Sequence, residues 1–92
     1  MGVNIPTGEL QVTCGTTTQQ AVAANPTRRY LLLVNDSDNA IYISLGKEAV
    51  INHGIRLNSA GGSYEINSTN LWLGNISAVS SVASKILTVV EW

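Results

Sequence analysis

Few side chains in this sequence are suited to chemistry, and their spacing limits what that chemistry could be. There is one cysteine, Cys14, and one histidine, His53. A thiol and an imidazole make a nucleophile–base pair only when a third group orients the base, and neither residue lies in a recognisable motif. Cys14 keeps step with Leu10 and Val12, the pattern of a buried thiol on an apolar strand face. His53 stands beside Gly54 in a polar loop, and the two residues match no zinc-ligand spacing. Asp36-Ser37-Asp38-Asn39 has the oxygen density of a calcium loop without its central glycine or closing glutamate, so turn chemistry explains it. Glu65 and Glu91 would have to converge in a cleft to hydrolyse a sugar. Gly61-Gly62-Ser63 has no trailing Gly-Lys and no helix after it, so it is no phosphate cradle. Three Asn-X-Ser/Thr triplets, starting at Asn35, Asn67 and Asn75, are expected by chance in so Asn- and Ser-rich a chain. The expectation is a protein that is not an enzyme and holds no metal or other cofactor.

The elements that would position these residues are strands. Residues 29–35 are apolar on both faces: Tyr30, Leu32 and Val34 alternate with Leu31 and Leu33. Residues 40–45 set Ile41, Ile43 and Leu45 opposite Tyr42 and Ser44, the period of two that marks a strand covered on one side. Asn35-Asp36-Ser37-Asp38-Asn39 lies between them, and such residues bond their own backbone in turns. These two runs read as a central hairpin. Further strands are predicted at 9–14, 19–23, 54–57, 63–66, 71–79 (bulged at Gly74) and 85–92. Seven or eight short strands with turn signals between them give an all-β chain, an antiparallel β-sandwich of jelly-roll type. Residues 1–8 show no periodicity and are expected to be a flexible arm, with 9–92 as a single domain.

Composition narrows the partners. Ninety-two residues suffice for one domain, and charged residues make up only 12 % of them, about half the usual share. A net charge of −1, with Arg28-Arg29 as the only adjacent basic pair, argues against a nucleic-acid partner, which needs clustered positive charge. The longest apolar run, Tyr30 to Val34, is too short to span a bilayer, so no membrane is expected. The N-terminal stretch lacks the basic start and apolar run of a leader, which places synthesis in the cytoplasm. A nearly uncharged, wet surface favours packing against other protein.

The ordered series Asn25-Pro26-Thr27-Arg28-Arg29-Tyr30-Leu31-Leu32-Leu33-Val34-Asn35, Ile41-Tyr42-Ile43-Ser44-Leu45-Gly46, Gly54-Ile55-Arg56-Leu57, Gly61-Gly62-Ser63-Tyr64-Glu65-Ile66 and Leu71-Trp72 resembles small virion proteins of tailed bacteriophages. Within these it is most similar to head decoration, or cement, proteins with a β-sandwich body. The likeness covers residues 25–92; residues 1–24 carry no part of it. It implies a structural protein on the capsid exterior, made in the host cytoplasm. Its partner would be the major capsid protein, and it would commonly be a homotrimer that staples neighbouring capsid subunits. A second reading is a carbohydrate-binding module of a virion fibre, stacking sugars on Trp72 with Tyr42 or Tyr64.

Two candidate surfaces follow. If Tyr30, Leu32 and Val34 fill the core, then Leu31 and Leu33 point outward and, with Trp72, make an oligomer interface; Leu33→Asp would then give a folded monomer. The competing expectation is that residues 47–53 cover those leucines within one chain. The second surface is the arm, where Val3, Ile5 and Pro6 would be ordered only against a partner.

Overall fold

Alternation with a period of two builds eight strands across residues 8–92, the part of the chain that the computed structural model describes. They are β1 (Gly8–Cys14), β2 (Gln19–Val22), β3 (Leu31–Asn35), β4 (Ile41–Leu45), β5 (Ile55–Leu57), β6 (Ser63–Ile66), β7 (Ile76–Ser80) and β8 (Lys85–Glu91). Two four-stranded antiparallel sheets result, one in the order β1-β8-β3-β6 and the other β2-β7-β4-β5. We call these the first and second sheets. Every pairing of the kind β1·β8, β2·β7, β3·β6 and β4·β5 is present, so the chain is one long nested hairpin. The pairings β3·β8 and β4·β7 roll it into a double-layered jelly roll.

The central hairpin expected from the sequence does not form. Both of its strands exist, but β3 lies in the first sheet and β4 in the second. Each already has two neighbours. The polar segment between them is a crossing rather than a hairpin turn. Asn35, fully buried, directs it: its side-chain amide donates to the Asn39 carbonyl at 2.7 Å and to the Leu57 carbonyl of the opposite sheet at 2.9 Å. Among the described residues, the only consecutive strands that pair are β4 and β5.

Side chains of one pleat face from each sheet meet in the middle. Leu31, Leu33, Leu87 and Val89 from the first sheet pack against Ile41, Ile43, Leu57 and Ile76 from the second, all at 0–1 % exposure. Burying each such side chain contributes about 1.5–3 kcal/mol. Cys14 is buried in the same cluster, as its register with Leu10 and Val12 predicts. The strand expected over residues 71–79 is shorter: 71–75 form a loop, and β7 begins at Ile76. Val3, Ile5 and Pro6 of the expected arm lie outside the described residues, while Gly8 already belongs to β1, opposite Glu91.

One end of the sandwich is tied by a buried cation. Arg28 is 2 % exposed, and its Nε donates to Glu91 Oε2 of β8 at 2.6 Å. One terminal nitrogen donates to the Trp72 and Gly74 carbonyls at 2.8 and 3.0 Å, and the other to the Ala23 carbonyl at 2.8 Å. The first sheet, the chain leaving β2 and the loop leading into β7 therefore converge on one guanidinium, whose fixed fork suits several acceptors at once.

Candidate functional site

The outer faces of the two sheets differ, and the difference marks the site. On the second sheet, Tyr42 and Val79 point away from the core and are directly paired. The β4–β5 loop folds over them, with Ala49 buried against both and Ile51 packed alongside. Tyr42 Oη donates to Asn52 Oδ1 at 2.9 Å, and the Ala49 amide donates to Thr18 Oγ1 at 2.8 Å. Asn52 and Gly54 hold positive φ in this loop, and a Cβ on Gly54 would lie 2.6 Å from the Ile43 carbonyl oxygen. The chain covers this face itself.

The first sheet has the opposite character. Leu31 and Leu33 point into the core at 0 % exposure, so the faces of β3 are the reverse of the sequence expectation, and these two leucines are no oligomer interface. The reason lies in register: they stand opposite Ile66 and Tyr64 of β6, both packed against the core, and Leu33 also faces buried Val89. Nor does the 47–53 loop cover them, since it lies on the other sheet.

Leu32 and Val34 take the outward positions. Register then lays out the surface in rows. One row runs Glu65, Leu32, Val90, Glu9 across β6, β3, β8 and β1, and the next runs Ser63, Val34, Thr88, Gln11. Ile86, paired with Thr13, extends the apolar strip along β8. Beyond the first row, Trp92 and Tyr30 exchange two backbone hydrogen bonds of 2.7 and 3.0 Å, and their rings stack with centroids 4.5 Å apart. Tyr30 Oη donates to Glu65 Oε2 at 2.6 Å. That bond, with a smaller effect of desolvation, raises the Tyr30 phenol above its usual pKa. Leu32, Val34, Ile86 and Val90 are partly exposed and belong to neither core cluster.

An apolar centre two strands wide, bounded by carboxylates, amides and hydroxyls, has the anatomy of a protein–protein interface. A solvated antiparallel sheet face would be polar there. β3 is apolar on both faces, as its sequence shows, but its inward and outward faces are the reverse of those expected. The signal that would have located the surface is Ile86-Leu87-Thr88-Val89-Val90 in β8, which is also two-faced and lies beside β3.

The other expected residues are dispersed. Trp72 is half-buried against the core, and its Nε1 donates to the Asn75 carbonyl at 3.0 Å. A Cβ on Gly46 or Gly74 would come within 2.9 or 2.5 Å of its ring. Tyr64 packs against the same core as Trp72, while Tyr42 lies on the outer face of the second sheet, so Trp72 and Tyr42 do not form one sugar-stacking surface. Cys14 is between the sheets, and His53 is exposed in the β4–β5 loop. Glu65 and Glu91 point to opposite faces of the first sheet, by their pairing with Leu32 and Leu31. Asp38 is held by Lys85 Nζ at 2.6 Å, which lowers its pKa. No protein-family model, curated protein or solved structure matches the chain.

Proposed function

We propose that this protein is a non-enzymatic structural component of a tailed-phage virion, a decoration or cement protein on the capsid exterior. Its first-sheet outer face would dock on the major capsid protein and bridge neighbouring subunits. The observation that carries the reading is the asymmetry of the two outer faces: the chain covers Tyr42 and Val79 with its own loop and leaves Leu32, Val34, Ile86 and Val90 for another protein. The low charged fraction and net charge of −1 support an interface held by apolar burial rather than by steering. The jelly roll is an architecture shared by viral capsid domains, and the resemblance of residues 25–92 points to the same setting.

The test is co-sedimentation of the purified protein with mature and immature heads of the source phage, with a glycan array run in parallel. Wild type should bind heads, with occupancy nearly independent of salt, since exposed ion pairs contribute at most about 1 kcal/mol each. Leu32→Asp and Val90→Asp should abolish binding while leaving the fold intact. Glycan binding without head binding would overturn the reading in favour of a carbohydrate module, and undiminished head binding by both variants would exclude this face.

A further inference from the structure

Three of the four sheet edges are short or blocked. β5 has three residues, β2 has four and shifts register between Gln20 and Val22, and the edge of β6 is capped by Asn70, whose Nδ2 donates to the Glu65 carbonyl at 2.9 Å. Short, bulged or covered edges are how sheets avoid pairing with strangers. β1 has none of these protections. All seven residues from Gly8 to Cys14 pair with β8 in unbroken register, without proline, lysine or bulge. Among the described residues no hydrogen bond reaches its free edge. Leu10 shares the inward face with buried Val89, yet it is 50 % exposed.

We propose that β1 pairs antiparallel with β1 of a second copy of this chain, about a two-fold axis normal to the first sheet and passing by Gln11. The two first sheets then join into one of eight strands, with both cores on the same side. Under that symmetry, opposed residues must point to the same face, so their numbers share parity. Centring on Gln11 is the register that pairs all seven residues. It sets half-exposed Leu10 against the partner's Val12, and Glu9, the one charge in the strand, against the partner's Thr13. No like charges are opposed, and a net charge of −1 per chain adds little long-range repulsion. The outer apolar faces remain free and become continuous neighbours, so this pairing does not depend on the capsid reading.

Sedimentation velocity over a dilution series tests it. Wild type should be a reversible dimer. Thr13 is exposed on the outer face, so both Thr13→Glu and Thr13→Lys should keep the thermal transition. Thr13→Glu puts a carboxylate opposite the partner's Glu9, twice per dimer, and should weaken the dimer about 2- to 30-fold; Thr13→Lys should strengthen it by a similar factor. Salt should shrink the gap between them. Leu32→Asp should leave the dimer intact even where it abolishes head binding, so the two proposals fail separately. A wild type that stays monomeric, or that is a trimer, overturns the pairing. So does a Kd that moves in the same direction for both Thr13 variants, or a dimer that Leu32→Asp dissolves.

Discussion

Replacing Arg28 by methionine removes four hydrogen bonds and keeps most of the apolar stem. The guanidinium is buried and joins Glu91, Ala23, Trp72 and Gly74. Breaking a buried ion pair by deleting one partner costs about 3–5 kcal/mol, because the remaining charge loses its compensation. Glu91 has 17 % of its side chain exposed, so some water reaches it and the lower end, about 3 kcal/mol, is expected. A 92-residue domain has about 5–14 kcal/mol of stability in total, so the variant should fold with much of its margin gone. The thermal midpoint should drop by about 12–24 °C. Urea unfolding followed by tryptophan fluorescence reads the same loss, and Trp72, whose carbonyl Arg28 holds, is well placed as a probe. Glu91→Gln keeps an acceptor for Nε and removes only the charge, so it should cost about 1–2 kcal/mol. An Arg28→Met loss below about 1 kcal/mol would refute the reasoning, because that is the value of a solvated surface pair.

Leu33→Asp should fail to fold, since a carboxylate would replace a side chain at 0 % exposure at a cost above about 4–5 kcal/mol; Leu32→Asp, one residue away on the other face, should show a near-native circular dichroism spectrum. Gly62→Ala should lose about 2–4 kcal/mol, because the new Cβ would lie 2.3 Å from the Asn58 nitrogen, whereas Gly15→Ala meets nothing within 4 Å and should be nearly neutral by thermal melts. Burial raises the Cys14 thiol from 9.0 to about 11. The unfolded chain then holds fewer protons than the folded one at alkaline pH, and stability should fall by about 2–3 kcal/mol as pH rises from about 9 to 11. Urea midpoints of wild type minus Cys14→Ala should show that decline, and a flat difference would contradict it.

The sequence made the strands legible but not their partners. Period-two alternation located β4, β6 and β8 to within a residue or two, and the inward faces of β4 and β6 followed from Ile41, Ile43 and Ile66. The faces of β3 are reversed from the expectation because apolar residues on both faces leave alternation without a preferred phase; only opposition to Val89 and Ile66 decides it. The expected hairpin is absent for a different reason. Asn, Asp and Ser mark a change of chain direction, and a crossing between layers uses the same chemistry as a tight turn. In the sequence Arg28 stands out only as half of a basic pair, because nothing local reveals that its acceptors come from residues 23, 72, 74 and 91.

The nested pairing also sets the order in which the molecule can be made. Among the described strands β1 has β8 as its only neighbour, and β3 is flanked by β8 and β6, so the first sheet cannot close while residues 85–91 are still on the ribosome. Until then, Leu31 and Leu33 of β3 and Val12 of β1 have half a layer to pack against. Only the β4–β5 pair is local enough to form early, and each later pairing encloses the previous one. Sheets dominated by such distant pairings fold in milliseconds to seconds, and here the slowest loop to close joins the first described strand to the last. The nascent chain therefore carries β1 and β3 uncovered until residues 85–91 emerge, and the first sheet closes only with that seven-residue strand.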